Sequence, residues 1–387
     1  MPQTPPPAAT QQSPNDRVEN PLLPQLPESL RAEAAQLDPA LLLRALDNAA
    51  LNNLDRFIDG AEAYQAAPRP PRGDMPPHLA WWEGSSRLWD YGGPPDGAPL
   101  LVVPSLINRS YILDLAPDRS LVRHLAAAGF RVFLMDWDAP GEVERGFGLD
   151  DYVARRLITA LAVVQAAVPD RPVGIIGYCM GGLLALALAA LRPDAVGALA
   201  LLATPFDFGA EPVARRTYLG LCVEPLIALA DAWGGLPVDV LQSLFVSLDP
   251  FLGLRKFETF ADLPPDSEAA RSFVLLEDWL NDGVPLAHRV ARETLHGWYQ
   301  ENQPAKGTWH LAGQTIDAGR LNLPTLVMVP SKDIIVPPAS ALALAAAMPG
   351  AECLEIPTGH VGMVSGRSAG PRVFVPLSQW LAAHCRA

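Results

Sequence analysis

The residues with the clearest chemical reading stand in a row: Gly177, Tyr178, Cys179, Met180, Gly181 and Gly182. They form G-x-C-x-G between an apolar run, PVGIIGY, and a helical run, LLALALAAL. This is the strand-turn-helix setting of a nucleophile elbow, with Cys in the place of Ser. Small residues at Gly177, Gly181 and Gly182 allow a tight turn and close strand-helix packing, and the backbone N–H of Met180 is expected to supply half of an oxyanion hole.

An isolated G-x-C-x-G more often describes a buried Cys in a Gly-rich turn than a nucleophile, so the rest of the chain has to decide. A nucleophile elbow requires an acid and then a His, in that order, after later strands. Asp333 follows the apolar run TLVMVP in the loop 331–338, and His360 follows ECLEIP in a glycine-flanked loop. Singly, the Asp reads as a residue near a helix start and the His as a bystander. Jointly, three residue types in the required order, each at the end of a predicted strand, point to a triad in which Asp333 orients His360 and His360 activates Cys179.

The second oxyanion donor is expected in the loop after PLLVV, at the backbone of Leu106 or Ile107. Asn108 and Arg109 in that loop either hold it in place or meet a substrate phosphate, with a plain surface salt bridge an equal reading for Arg109. The segment 135–141 (MDWDAPG) is expected to shape the site wall. A second match, G-R-S-A-G at 366–370, follows no predicted strand and lies after His360, so it reads as a chance match in a loop. Cys222 and Cys353 read as packing residues and Cys385 as exposed.

These residues need a sheet to present them. Between residues 87 and 204, β-type runs (RLWDY, PLLVVPSL, RVFLMDW, PVGIIGY, GALALLAT) alternate with helical stretches, and the pattern returns at TLVMVP and ECLEIP. That predicts an α/β fold: a mostly parallel central sheet with helices on both faces. One helix is expected between an N-cap at Asp118 and a C′ residue at Gly129. The core covers 81–205 and 319–387. Between these parts, the Leu- and aromatic-rich segment 206–318 reads as a helical cap over the carboxyl ends of the strands, where such folds bind ligands. Upstream, 1–28 is a Pro- and Gln-rich tail expected to be disordered. Residues 29–80 read as a helical extension with two short helices and a linker.

Composition excludes other classes. The chain has 387 residues, 49% hydrophobic and 18% charged, enough for a large core. A net charge of -13 argues against nucleic acid as a partner. Four scattered cysteines form neither a CxxC pair nor a disulfide framework, and no metal or organic cofactor is implied. The N-terminus lacks the pattern of a signal peptide, and the most apolar stretch, 183–203, is broken by Arg192 and Asp194, so no transmembrane segment is expected. A cytoplasmic location fits.

The motifs GYCMGG, PSLINRSYILDLAPDRSLVRHLAAAGFRVFLMDWDAPG, TLVMVPSKDIIVPP and TGHVGMVSG together resemble the polyhydroxyalkanoate (poly(3-hydroxybutyrate)) synthase family. The resemblance runs over about residues 81–384, including LEDWLNDGVP and LHGWYQENQ. It implies an α/β-hydrolase fold and a triad of Cys179, Asp333 and His360 that joins (R)-3-hydroxyacyl-CoA units into polyester with release of CoA. CoA is then part of the substrate, not a cofactor. The short region before the core resembles that of the short catalytic subunit, which works with a second, noncatalytic subunit. Such a subunit, or a second copy of the chain, is an expected partner, and the surface of polyester granules an expected place of action. The family's Asp is commonly followed by His, whereas Ile334 stands here. That departure leaves open a Cys-dependent hydrolase, a polyester depolymerase or acyl thioesterase in which water takes the acyl group. A third reading is a catalytically inert granule-surface protein that adsorbs through apolar cap segments such as 226–244.

Overall fold

The computed structural model describes residues 28–34, 36, 38–69 and 78–385. The tail expected over 1–28 lies, but for Glu28, outside the described residues, as does most of the linker before residue 78.

Eight strands form the central sheet: β1 (His78–Glu83), β2 (Ser86–Asp90), β3 (Pro99–Val103), β4 (Arg131–Asp136), β5 (Val173–Tyr178), β6 (Val196–Leu202), β7 (Thr325–Pro330) and β8 (Glu352–Ile356). Their spatial order is β1-β2-β4-β3-β5-β6-β7-β8. From β4 to β8 every pairing is parallel. RLWDY departs from the expected alternation: it runs antiparallel to β4 as β2 and is hairpinned to β1. A short hairpin can close at once, whereas a parallel neighbour needs a helical crossover for which the chain here has no length.

Alternate strand residues feed two cores. Leu101, Val103, Ile175, Leu199, Leu201 and Val327 point to one, with helices α4 (Ile158–Ala167), α5 (Met180–Leu191) and α8 (Pro338–Ala347). Leu100, Val102, Ile176, Ala200 and Met328 point to the other, with α3 (Leu121–Ala127) and α9 (Val375–Cys385). The central strands are therefore buried on both faces, which is why they read as continuous apolar runs.

Between β6 and β7 the chain leaves the sheet for the helical region that contains α6 (Val213–Trp233) and α7 (Glu268–Asn281). Among the described residues, 28–66 and 254–262 form one compact unit, and 67–253 with 263–385 a second. The first holds α1 (Glu28–Ala34) and α2 (Pro39–Ala66). The second of these has 28 residues and is not short, because no Pro or Gly-rich break interrupts its pattern after Pro39. Phe57 and Tyr64 meet Phe257 edge-on at 5.7 and 5.8 Å. Among the described residues no helix is long and apolar enough to cross a membrane.

Two local expectations need correction. Ser120, not Asp118, caps α3: its hydroxyl accepts from the Arg123 N–H at 3.1 Å. A small hairpin (114–116 with 119–120) keeps the backbone extended through Ser120 and carries Asp118 outside the helix. Cys385 is buried, 5% exposed, and burial pushes its thiol up to about 12, whereas Cys353 is exposed. Near the end of α9, Cys385 faces the sheet, close to Gly174.

Candidate active site

β5 ends at Tyr178 and α5 begins at Met180, so Cys179 is the whole turn between them. Its backbone stands at φ +55° and ψ -129°, a conformation that costs energy for any L-residue and is kept only where the surroundings impose it. Here the Cys179 N–H donates to Leu202 O and the Gly182 N–H donates to Cys179 O, both at 2.9 Å. The glycines answer for the closeness of the turn. A Cβ on Gly181 would lie 2.3 Å from the Val103 carbonyl oxygen, one on Gly182 1.9 Å from Thr204 Oγ1, and one on Gly177 2.5 Å from Gly182 Cα. Cys179 is presented at the carboxyl end of the sheet, half-buried.

The other two side chains reach this point from the ends of β7 and β8. Ser331 N–H donates to Ile356 O at 2.7 Å and Lys332 N–H to Thr358 O at 3.0 Å, which knits the loop after β7 to the loop after β8. Asp333 Oδ1 accepts from the N–H groups of Ile335 (2.8 Å) and Val336 (2.9 Å). Its Oδ2 takes His360 Nδ1 at 2.7 Å. The carboxylate is thus fixed from three sides, and its side chain is fully buried. Nδ1 being engaged, Nε2 is the nitrogen left for Cys179. Tyr178 supports the imidazole from below: its hydroxyl donates to His360 O at 3.3 Å and its ring lies 5.4 Å from the His360 ring.

Electrostatics agree with this geometry. Burial disfavours the imidazolium, but the charge of a Cys179 thiolate, hydrogen bonds to Asp333 and Cys179, and the Asp333 charge outweigh it. His360 is pushed up to about 10. The site therefore stabilises the proton on His360 once it has left the thiol. Cys179, His360 and Asp333, expected from their order in the chain, are brought together.

Met180 N–H is one of the donors at the start of α5 that have no partner within the helix. Of the two residues expected to provide the second donor, Ile107 gives its N–H to Ser105 Oγ at 3.2 Å, which favours Leu106. Leu106 is buried beside a narrow crevice lined by Trp137, Pro285 and Leu286. Trp137, in the segment expected to shape the site wall, donates from Nε1 to Pro104 O at 3.1 Å and so supports the loop from the core side.

From the other side the loop is held by the helical region between β6 and β7. Asn108 bridges Gly283, Val284 N–H donates to Ile107 O at 3.3 Å, and Trp279 Nε1 donates to Arg109 O at 2.9 Å. The Arg109 guanidinium is committed to Asp138 and, at 3.1 Å, to Asp282. Of its readings, holding the loop is the one the contacts carry, since both carboxylates occupy the fork a phosphate would need.

Sequence reasoning passed over Glu211 and Arg215, which stand where the chain leaves the sheet for α6. Their Arg-after-Glu spacing of four residues, directly after an Asp-capped turn, is the signal that was there to find. The serine of G-R-S-A-G lies between two short helical segments, Gly362–Ser365 and Gly370–Phe374, away from any strand end.

Comparison with known proteins adds a family. A family model described as the alpha/beta hydrolase fold matches residues 98–220, which include the elbow. The poly(3-hydroxyalkanoate) polymerase subunit PhaC of Thiocystis violacea is 31% identical over 341 residues, 86% of this chain and 95% of that one. Its counterpart in Allochromatium vinosum is 31% identical over 320 residues, covering 80% and 89%. That of Haloferax mediterranei is 31% identical over 336 residues, covering 85% and 68%. Likeness of this depth across 68–95% of the length of these relatives, on a sheet that presents a cysteine in a nucleophile elbow, means that the chain belongs to the poly(3-hydroxyalkanoate) polymerase family.

Proposed function

We propose that the protein polymerises (R)-3-hydroxyacyl-CoA into polyester, with Cys179 as nucleophile, His360 as base and Asp333 as the group that orients it. The observation that carries the reading is the Cys179–His360–Asp333 arrangement at the carboxyl end of the sheet, with His360 Nδ1 on Asp333 at 2.7 Å, in a member of this family. His360 takes the thiol proton, and the Cys179 thiolate attacks the thioester carbonyl. The oxyanion forms against the N–H groups of Met180 and Leu106. Collapse of the intermediate expels CoA, which leaves with the proton from His360. The acyl group remains on Cys179 as a thioester, about as high in energy as the one it replaced, so it is passed on rather than trapped. The 3-hydroxyl of another acyl unit, its proton taken by His360, then attacks that thioester. An ester bond forms and Cys179 is freed.

Water competes with the hydroxyl for the acyl-enzyme, and the cap segment that closes on the 106–109 loop favours the hydroxyl by limiting access. CoA is substrate on this reading and no cofactor takes part. The relatives are named as polymerase subunits, which supports a second, noncatalytic subunit or another copy of the chain as partner. The reaction then belongs in the cytoplasm, at the surface of polyester granules. The test is to mix the protein with (R)-3-hydroxybutyryl-CoA, quench within the first turnover and weigh it. A hydroxybutyryl adduct mapped to Cys179 is expected, and an adduct elsewhere, or none in the presence of CoA release, contradicts the assignment.

A further inference from the structure

Where the chain leaves β6 for the cap, Glu211 and Arg215 form an ion pair one helical turn apart, Arg215 Nη1 to Glu211 Oε2 at 3.0 Å. The same guanidinium nitrogen donates to the main-chain carbonyl of Ile334 at 2.9 Å, 119 residues further along. Ile334 directly follows Asp333, and the next two N–H groups, those of Ile335 and Val336, are the ones that hold Asp333 Oδ1. Ile334 exposes 47% of its surface, so its side chain does little to fix the segment and its carbonyl is the point of attachment. Glu211 is 9% exposed, and its carboxyl is pushed up by burial and by the Asp333 charge, against the pull of Arg215. Two buried carboxylates therefore feel each other, and Arg215 stands as the cation for the outer one. That leaves Asp333 to pair with His360.

We propose that Arg215, anchored by Glu211, is a positioning residue for Asp333: it holds the Ile334 carbonyl so that the turn 333–336 keeps Asp333 Oδ2 directed at His360 Nδ1. The proposal rests on the triad assignment of the preceding subsection and adds a link from the first turn of α6 to the acid. Without Arg215 the turn loses its outer tether, Glu211 is left uncompensated beside Asp333, and the His360 imidazolium is less well supported. Misplacing a catalytic group by about 1 Å costs on the order of a hundredfold in rate.

The test uses the full chain and two readouts that do not depend on which acyl thioester is the substrate. One is the rate of Cys179 alkylation by iodoacetamide, mapped by peptide mass so that Cys222 and Cys353 are counted separately. The other is the downfield proton resonance of the His360 Nδ1–H on Asp333. Arg215→Ala is expected to slow Cys179 alkylation about tenfold to a hundredfold and to broaden or remove the resonance. Arg215→Lys, which still donates to Ile334 O, is expected to recover both to within about threefold of wild type. CoA release, where measured, should lose kcat with KM little changed. Wild-type alkylation and an intact resonance in Arg215→Ala overturn the proposal. If Arg215→Ala does not fold, Glu211→Gln takes its place: a severalfold loss supports the link and a wild-type rate overturns it. Should hydroxybutyryl-CoA give no product while alkylation follows the pattern above, the function fails and the positioning role stands.

Discussion

Arg109 Nε donates to Asp282 Oδ1 across 3.1 Å, so a residue just past the end of α7 is tied to the loop that carries Leu106. The other end of the guanidinium holds Asp138, whose carboxyl is brought down to about 2: burial opposes the shift, but hydrogen bonds from Arg87, the Ala139 N–H and Arg109 prevail. Tyr111 completes the group by donating to Asp282 Oδ2 at 3.0 Å. The loop that carries Leu106 thus depends on contacts from the segment between β6 and β7. Arg109→Ala is expected to cost about 1.5–3 kcal/mol of stability, the usual worth of hydrogen bonds to charged groups, and to lower kcat for thioester cleavage. Urea unfolding and CoA release measure both; a variant unchanged in either would show that the loop keeps its place without the tie.

The triad residues should differ in what their loss does. Cys179→Ala removes the bond-forming atom and little volume, so it is expected to abolish turnover with the fold retained. His360→Ala should come close to that. Asp333→Ala should retain more activity, because it removes orientation and charge while the nucleophile and base remain. Steady-state rates with matched circular dichroism spectra check the order, and wild-type turnover in folded Cys179→Ala rules out the mechanism.

The elbow glycines should tolerate nothing larger. Alanine at Gly182 brings its Cβ to 1.9 Å from Thr204 Oγ1 and 2.7 Å from Thr204 Cβ, and neither atom can retreat within a packed core. Gly182→Ala is expected to destabilise by about 3 kcal/mol or more, beyond the usual cost of overpacking. Gly220 meets nothing within 4 Å, so Gly220→Ala in the middle of α6 should be neutral or mildly stabilising. A thermal melt of both variants checks the contrast, which equal melting temperatures would contradict.

His360 also sets a pH dependence. Its folded value, about 10, lies above the ordinary histidine value of 6.5, so the stability it contributes is fully present below pH 6.5. That contribution is lost as the pH rises through about 10. The melting temperature of the wild type relative to His360→Gln should therefore fall across this range. A difference that stays flat or grows with pH would mean that His360 is not held in its charged form.

How much of this was legible in the sequence follows from which contacts are local. G-x-C-x-G between an apolar strand and an apolar helix, with Asp333 and His360 after later strands, carries its own order, and the structure joins His360 to Asp333. β3 and β5 to β7 read as strands because burial on both faces leaves them uniformly apolar. What escaped the reading depends on distant partners. The antiparallel turn of β2 is decided by its pairing with β4. Cys385 is buried by the sheet and not by anything beside it in sequence. Ser120 and Asp118 are both good caps by type, and only the hairpin that contains them, with Ser120 in its second strand and Asp118 in its turn, chooses. Arg215 acts on a carbonyl 119 positions away, for which neither segment carries a motif.

The most direct measurement is the product formed when purified protein turns over (R)-3-hydroxybutyryl-CoA. CoA release would be followed with a thiol reagent and the acyl product weighed. Oligomeric or polymeric 3-hydroxybutyrate, absent with Cys179→Ala, is the predicted result. Free 3-hydroxybutyrate in step with CoA release would contradict it, because water and not a hydroxyacyl chain would then be the acceptor of the acyl group.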